Sequence, residues 1–561
     1  MEGIQSVMAG VWMPMTYAFV ALEAEFFGTD FGAYHLVAAF LHAVNAMILF
    51  LLLFRMTKAF WKSTAVAILF VVHPLNVEPV AWLVGVRIIL CGFFSLLSLY
   101  FYALYTTRYL SRYFILSLFS YSASLFAVPM YIPLPFLFLL LDFWPLKRFV
   151  SADGNSSWPD ISWSKVGRAV WEKLPFFGIM IVLMIILLLS HDLPATPIEQ
   201  YPFTDRLCNA LLSYVCYLRQ FLVPLNLAVF YPFPANFLLW KIIGAIFLLA
   251  LLSVFSVIFL RRFPFLFVGW CWFIGMIFPL SGISQIGTQA RADHYMYLPI
   301  IGLLILSCWG AAVLAQRLRL PKFFLPVAAI IIISILTGLS WRQAGHWENS
   351  VTLFKHTLTV TKDNYEAHNY LAQALAARGD LQAAGDHFRA ALAIQPDHRK
   401  SHINIAKLYI DTGRNAEAIP HLRQALRKSP RNARLHNNLG ALYERTKDFQ
   451  AAMKHYQQAV TIDPDYVNAY KNLAGLETTL GDFSSAIAHL KRVLSITPGD
   501  AATHFQIGMI LKHTGNIEEA VTHFRKAISI EPGNKLFRQK LISLTDSEPQ
   551  QEGTPGAGYP D

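Results

Sequence analysis

Residues 433–466, ARLHNNLGALYERTKDFQAAMKHYQQAVTIDPDY, and residues 467–500, VNAYKNLAGLETTLGDFSSAIAHLKRVLSITPGD, follow one pattern. Pro464 and Pro498 close them, and Pro396, Pro430 and Pro532 extend the series at intervals of 34 residues. Small residues recur in step, as Ala372, Ala406, Gly440, Ala474 and Gly508 in a first helix and Ala384, Ala418, Ala452, Ala486 and Ala520 in a second. Gly379, Gly413, Gly481 and Gly515 mark the turn between them, and Lys447 takes the glycine's place in the third unit. The pattern predicts pairs of antiparallel helices that touch at the small residues. Stacked pairs bury one continuous core and leave a concave groove.

A 34-residue helix–turn–helix unit is the tetratricopeptide period. Five full repeats are predicted from 365 to 534 within a repeat domain of 365–544, preceded by a joining helix over 349–363. Residues 545–561 are polar and rich in Pro and Gly, a composition that does not bury a core. Asn404, Asn438 and Asn472 also stand 34 apart, with Gln506 next in line and Tyr370 at the first position. All fall on the face of the first helix that lines a groove. An amide side chain carries a donor and an acceptor, so a ladder of them suits the backbone of an extended polypeptide. The plainer alternative is that these asparagines bond neighbouring helices to one another.

Before about residue 348 the sequence changes solvent. Hydrophobic residues make up 55% of the chain and charged residues 14%, too apolar for one water-soluble globule. A helix needs about 20 apolar residues to cross a bilayer. Segments 34–54, 88–107, 241–260, 264–282, 297–315 and 323–341 have that character, with 64–80, 113–128, 131–146 and 174–190 as further spans. The result is a membrane domain of about ten spans over 34–341. Residues 207–224, interrupted by Arg219, read as interfacial or re-entrant.

The net charge of +11 does not point to nucleic acid, because Lys and Arg cluster at the ends of apolar runs. Arg55/Lys58/Lys62, Lys147/Arg148, Arg261/Arg262 and Arg317/Arg319/Lys322 place their loops inside. Segment 1–33 holds no Lys or Arg but has Glu2, Glu23, Glu25 and Asp30, and is placed outside. Ten spans later the repeats fall outside as well, on the periplasmic side of a bacterial inner membrane or in the lumen of a eukaryotic host. The sequon at Asn155 falls in an inside loop. The five cysteines all lie in apolar segments without a CxxC spacing, and no metal site is indicated.

Polar residues at membrane depth are costly and usually face a cavity. One group comprises His73, Asn76 and Glu78 in HPLNVEPVAW (73–82), followed by Arg87. A second comprises Gln285, Gln289, Arg291, Asp293 and His294 in the loop 283–297. Both map to the outer face. As single residues they also read as caps, ion pairs or snorkelling groups. His35, His42 and Asn45 read as helix-packing contacts, and Asp142 beside Lys147 and Arg148 as an ion pair.

VWMPMTYAF (11–19), FFG (26–28), YHLVAAFLHAVNA (34–46), HPLNVEPVAW, PLPFLFLLLDFWPL (133–146), ADHYMYLPIIGL (292–303) and SWRQAGHWENSVTLFKHTL (340–358) precede the repeats in that order. Together they resemble the transmembrane and tetratricopeptide-repeat family of protein O-mannosyltransferases, especially its bacterial relatives. The resemblance implies an all-α polytopic bundle of the C-type glycosyltransferase kind, followed by the repeat solenoid. It implies transfer of a sugar, mannose in the family, from a polyprenyl-phosphate donor to Ser or Thr of extracytoplasmic polypeptides, with no further cofactor. Family members carry an earlier span and an acidic outer loop that serves as base; here only Glu23 and Glu25 stand near that position. A charged run after HPLNVEPVAW is reduced to Gly85-Val86-Arg87-Ile88, and a Lys-Pro pair before PLPF is Val128-Pro129.

Transfer of this kind needs a carboxylate to take the acceptor proton and cations to stabilise the leaving phosphate. Glu78 and Asp293 are the outer-face carboxylates; Arg87, Arg291 and His294 are the groups for the phosphate. Asn404, Asn438, Asn472 and Gln506 are the candidate peptide ligands. The departures from the family pattern keep a second function open, a membrane-anchored repeat scaffold whose catalytic half has decayed.

Overall fold

The computed structural model describes residues 13–149, 162–189, 201–283 and 287–545. Glu2, the Asn155 sequon, Gln285 and the tail from 546 onward lie outside the described residues. The all-α class is the observed one. Among the described residues the strands are Tyr231–Pro232 and Gln289–Arg291, which pair antiparallel. The chain forms two compact units, Met1–Leu371 and Ala372–Asp561.

Among the described residues of the first unit, six helices are long and apolar enough to cross a membrane: Phe31–Thr57, Leu83–Arg108, Trp163–Ile186, Leu239–Ile258, Pro299–Arg317 and Phe324–Gly345. Phe324–Gly345 buries none of its apolar window against protein, and Ile330 and Ile335 stand 64% and 57% exposed. The Ser340 hydroxyl of this helix donates to the Val72 carbonyl at 2.7 Å, and the exposed apolar remainder is the kind of surface that faces lipid or another protein. The predicted segment 64–80 is one broken element: Phe60–Val72 and Pro74–Ala81 meet at 54°. The break follows from Pro74, which cannot donate to the ladder and pushes His73 into an extended conformation (φ −75°, ψ 128°). Predicted segments 131–146 and 264–282 contain the shorter apolar helices Leu134–Phe143 and Pro264–Leu280. Segment 207–224 lies in the helix Phe203–Leu222.

Polar contacts fix the packing of these helices. His42 Nδ1 lies 2.8 Å from the Tyr297 hydroxyl, and Asn45 Nδ2 donates to that hydroxyl at 2.9 Å and to the Ile89 carbonyl at 3.0 Å. One helix thereby holds the Tyr297 phenol, in the turn before Pro299–Arg317, through His42 and Asn45, and reaches the helix of Ile89 through Asn45, while its His35 is exposed. Asp142 is fully buried, and its partners are Arg148 at 3.2 Å, Lys173 and the Tyr102 hydroxyl at 2.7 Å, while Lys147 is exposed. Glu172 completes the cluster at 2.7 Å from Arg148. Pairing of this density is what lets a charge stay inside a bundle. Helices Pro264–Ile277 and Pro299–Arg317 approach so closely that a Cβ on Gly302 would come within 2.4 Å of the Gly269 carbonyl oxygen. Small residues serve the same close approach in membrane bundles generally.

The second unit is a stack of helix pairs. Its first helices are Arg399–Asp411, Ala433–Arg445, Val467–Leu480 and Ala501–His513, each followed by a second helix: Asn415–Lys428, Phe449–Ile462, Phe483–Ile496 and Ile517–Ile530. Asp448, Asp482 and Asn516 cap the second helices by accepting the N–H of Ala451, Ser485 and Glu519. The interhelix turn needs a left-handed residue: Gly481 sits at φ 84°, and Lys447 adopts φ 64° without glycine's freedom. Gly440 and Gly508 face the rings of Tyr456 and Phe524, where a Cβ would come within 2.6 and 2.9 Å. A final helix, Lys535–Thr545, covers the open end; its Phe537 packs with Ala501 and Ala527.

Candidate functional site

The broken segment after His73 is held from both sides. His73 Nδ1 accepts the N–H of Leu75 at 3.2 Å, so its proton is on Nε2, which donates to the Phe221 carbonyl at 3.1 Å. Asn76 Nδ2 donates to the Phe70 carbonyl at 2.7 Å. These bonds aim the short helix Val77–Ala81 so that Glu78 points into the protein, 4% exposed. Its Oε2 accepts the backbone N–H of His294 at 2.9 Å, and its Oε1 lies 2.9 Å from His294 Nδ1.

The strand pair builds the other half. Tyr231 stands opposite Arg291 in register, and the Arg291 guanidinium lies over the Tyr231 ring at 4.1 Å. The Tyr231 hydroxyl donates to Asp293 Oδ1 at 2.9 Å, and Gln220 Nε2 reaches the same oxygen at 3.1 Å. Arg87 packs over Trp82 at 5.3 Å, within the electrostatic reach of Glu78 and Tyr295, and the Trp82 ring is 5.7 Å from that of His294. The Nε atoms of Arg87 and Arg291 are buried without a protein partner. Burial first, and the negative charge of Glu78 second, push the Asp293 carboxyl well above the usual carboxylate range, against the pull of Tyr231, Arg291 and Gln220.

Glu78 and His294 are thus in contact, Asp293 and Arg291 share Tyr231, and Arg87 joins through Trp82. Two carboxyls beside two guanidiniums can take up a proton and receive an anion. Tyr231, Gln220 and Trp82 were not singled out from the sequence. An aromatic and an amide in apolar runs carry no local signal of partners 62 and 73 residues away. Gln289 donates to the Tyr295 hydroxyl at 3.0 Å and so braces the loop. Of the two N-terminal acids, Glu25 is exposed. Glu23 is buried, lines a small cavity with Thr16, Val20, Tyr34 and residues 83, 84 and 86, and burial pushes its carboxyl up to about 7.

In the repeats, Asn404, Asn438 and Asn472 are half-buried and Gln506 is exposed. Asn472 Nδ2 donates to Asn437 Oδ1 of the preceding repeat at 2.8 Å, so this member of the ladder bonds a neighbouring helix. Tyr370 stacks on Phe354 with ring centroids 5.1 Å apart.

A largely helical, apolar unit of membrane-spanning length with a helical-repeat unit is the class these features define. Models of the tetratricopeptide repeat match residues 363–430, 403–467, 445–504 and 501–534, so the chain carries tetratricopeptide repeats, a fold whose concave surfaces bind peptides or proteins. Among curated proteins, it is similar to the protein O-mannosyl-transferase TMTC4 of Mus musculus, 31% identical over 100 residues. That stretch is 18% of this chain and spans only 13% of the relative's length. Among solved structures, MamA is 24% identical over 30% of this chain and 92% of its own, with a TM-score of 0.29. YrrB, described as a TPR protein with an unusual peptide-binding site, is 21% identical over 33% of this chain and 96% of its own, with a TM-score of 0.30. PilF of Pseudomonas aeruginosa is 20% identical over 32% of this chain and 84% of its own, with a TM-score of 0.29.

Proposed function

We propose that this chain is a membrane glycosyltransferase of the O-mannosyltransferase kind. It moves a sugar, mannose in this reading, from a polyprenyl-phosphate donor to Ser or Thr hydroxyls of extracytoplasmic polypeptides that the repeats hold. The observation that carries the reading is the convergence of Glu78, Asp293, Arg87, Arg291 and His294 from two segments more than 200 residues apart. In the transfer, the bond between the sugar's anomeric carbon and the phosphate oxygen breaks and a bond to the acceptor oxygen forms. The acceptor proton passes to a carboxylate, Glu78, or Asp293 once it has released its own proton. Arg87 and Arg291 stabilise the charge that develops on the departing phosphate, and His294 holds Glu78 in place. The similarity to TMTC4 supports the reaction class. The apolar helices support a membrane location, read here as a bacterial inner membrane with the repeats on the periplasmic side.

One observation favours a second reading. Both oxygens of Glu78 are engaged by His294, and Asp293 is engaged by Tyr231 and Gln220. Carboxylates so occupied also suit a catalytically silent, membrane-anchored repeat scaffold for protein binding. Transfer from polyprenyl-phosphate mannose to Ser/Thr peptides by the purified chain, with Glu78→Gln and Asp293→Asn compared, separates the two readings.

A further inference from the structure

Among the described residues of the second unit, three repeats bring a histidine of the first helix against a histidine of the second. His402 meets His421, His436 meets His455, and His504 meets His523, each partner 19 residues on, with Nδ1–Nδ1 distances of 2.9, 3.0 and 3.1 Å. The other nitrogen of the first ring fixes the proton's position. His402 Nε2 lies 2.8 Å from the Pro396 carbonyl and His436 Nε2 3.2 Å from the Pro430 carbonyl, and His504 bonds the Pro498 carbonyl. A carbonyl only accepts, so Nε2 carries the hydrogen and Nδ1 presents a lone pair. The second ring therefore donates from its Nδ1. A further proton on the first ring would set N–H against N–H. At separations of 2.9–3.1 Å the two ring nitrogens share one hydrogen.

We propose that the histidine pairs are a proton-operated switch in the repeat array. Protonation of the first-helix histidine breaks the ring-to-ring bond and loosens the first helix from the second in these three repeats.

The surroundings set the direction. Burial, then the partner histidine, hold His421, His455 and His523 below the ordinary histidine range, His455 at about 4. Burial, then Lys526, do the same for His504. Lys454 and Arg423 face His455; Lys491 and Lys526 face His523, opposed by Glu519, while Asp500 opposes Lys526 at His504. Tyr409 and Tyr443 lie against His421 and His455, and Asp397 feels the charge of His402. A histidine whose folded value is depressed makes the opened form bind more protons between about 6.5 and the folded value. Its stabilisation is full above that window and is lost as pH falls through it. The fourth repeat is built otherwise: Tyr470 stands where the histidine would be, and His489 Nδ1 lies 2.8 Å from Glu477 Oε2, a partner that accepts an imidazolium.

The test is hydrogen exchange of the full chain in detergent, read by mass spectrometry at about pH 7.5 and about pH 5 and corrected for the intrinsic rate. Protection of 399–428, 433–462 and 501–530 is expected to fall at least tenfold, about one pH unit of linkage, while 467–496 falls less. The triple variant His402→Tyr, His436→Tyr and His504→Tyr, which copies the fourth repeat, is expected to shrink the difference to that of 467–496. Equal pH dependence in wild type and variant overturns the proposal. Should the variant not fold, loss of protection in 467–496 as large as in its neighbours overturns it from wild type alone.

Discussion

Glu78 accepts two hydrogen bonds from one residue, His294, 216 positions along the chain: the backbone N–H at 2.9 Å and Nδ1 at 2.9 Å. The pair ties a broken helix to the turn that carries Asp293, so it sets the distance between the two carboxyls. Removing the ring leaves a buried carboxylate short of one partner, at a cost of about 1.5–3 kcal/mol. His294→Ala and His294→Gln are expected to lower the thermal unfolding temperature of the detergent-solubilised chain. His294→Asn, whose Nδ2 occupies the place of Nδ1, is expected to retain most of it.

Asp293 behaves oppositely to an ordinary surface aspartate. Its folded value is raised, so the folded state holds a proton that the unfolded chain releases above about 3.9. The contribution of Asp293 to stability is therefore greatest at low pH and declines as pH rises through that window toward the folded value. Asp293→Asn mimics the protonated form and is expected to unfold at the same or a higher temperature at neutral pH, with a flatter dependence on pH.

Lys447 tests the repeat geometry. Its φ of 64° costs a side-chain-bearing residue about 1 kcal/mol, and the equivalent Gly481 at φ 84° carries no such cost. Lys447→Gly is expected to slow exchange in helices 433–445 and 449–462. Gly481→Ala is expected to speed it in helices 467–480 and 483–496.

The amide ladder divides into members with different occupations. Asn472 bonds Asn437, so replacing it removes an inter-repeat bond of about 1 kcal/mol, whereas Gln506 is exposed. The triple replacement Asn404→Ala, Asn438→Ala and Asn472→Ala is expected to weaken binding of unfolded peptides at least about tenfold, roughly 1.4 kcal/mol. Unchanged binding in fluorescence anisotropy reduces the ladder to a structural device.

The repeats were legible because each unit's contacts lie within about one period, so spacing alone places Ala474 against the second helix and Gly481 in the turn. Long spans such as Phe324–Gly345 were legible because hydropathy is a local property. Segment 64–80 was not, since its mean apolarity outweighed His73, Asn76 and Glu78 and the bend that Pro74 imposes between its two halves. The gathering of polar residues at HPLNVEPVAW and ADHYMY was legible as two groups on one face. Their actual partners were not: Tyr231, Gln220 and Lys173 reach Asp293 and Asp142 through packing that no local pattern encodes. Of the two cations expected beside Asp142, Arg148 pairs with it and Lys147 is exposed, while Lys173 adds a second charge.

The central claim is transfer, and the most direct measurement is mannose incorporation into a Ser/Thr peptide from polyprenyl-phosphate mannose by the purified full chain in lipid nanodiscs. The account predicts incorporation by the wild type and a loss of about 100-fold or more when the carboxylate that serves as base is made neutral, by Glu78→Gln or Asp293→Asn, with the variant still folded. No incorporation by a folded wild type that still binds unfolded peptide would contradict the account and leave the scaffold reading. Incorporation undiminished in both variants would remove these carboxylates from the chemistry.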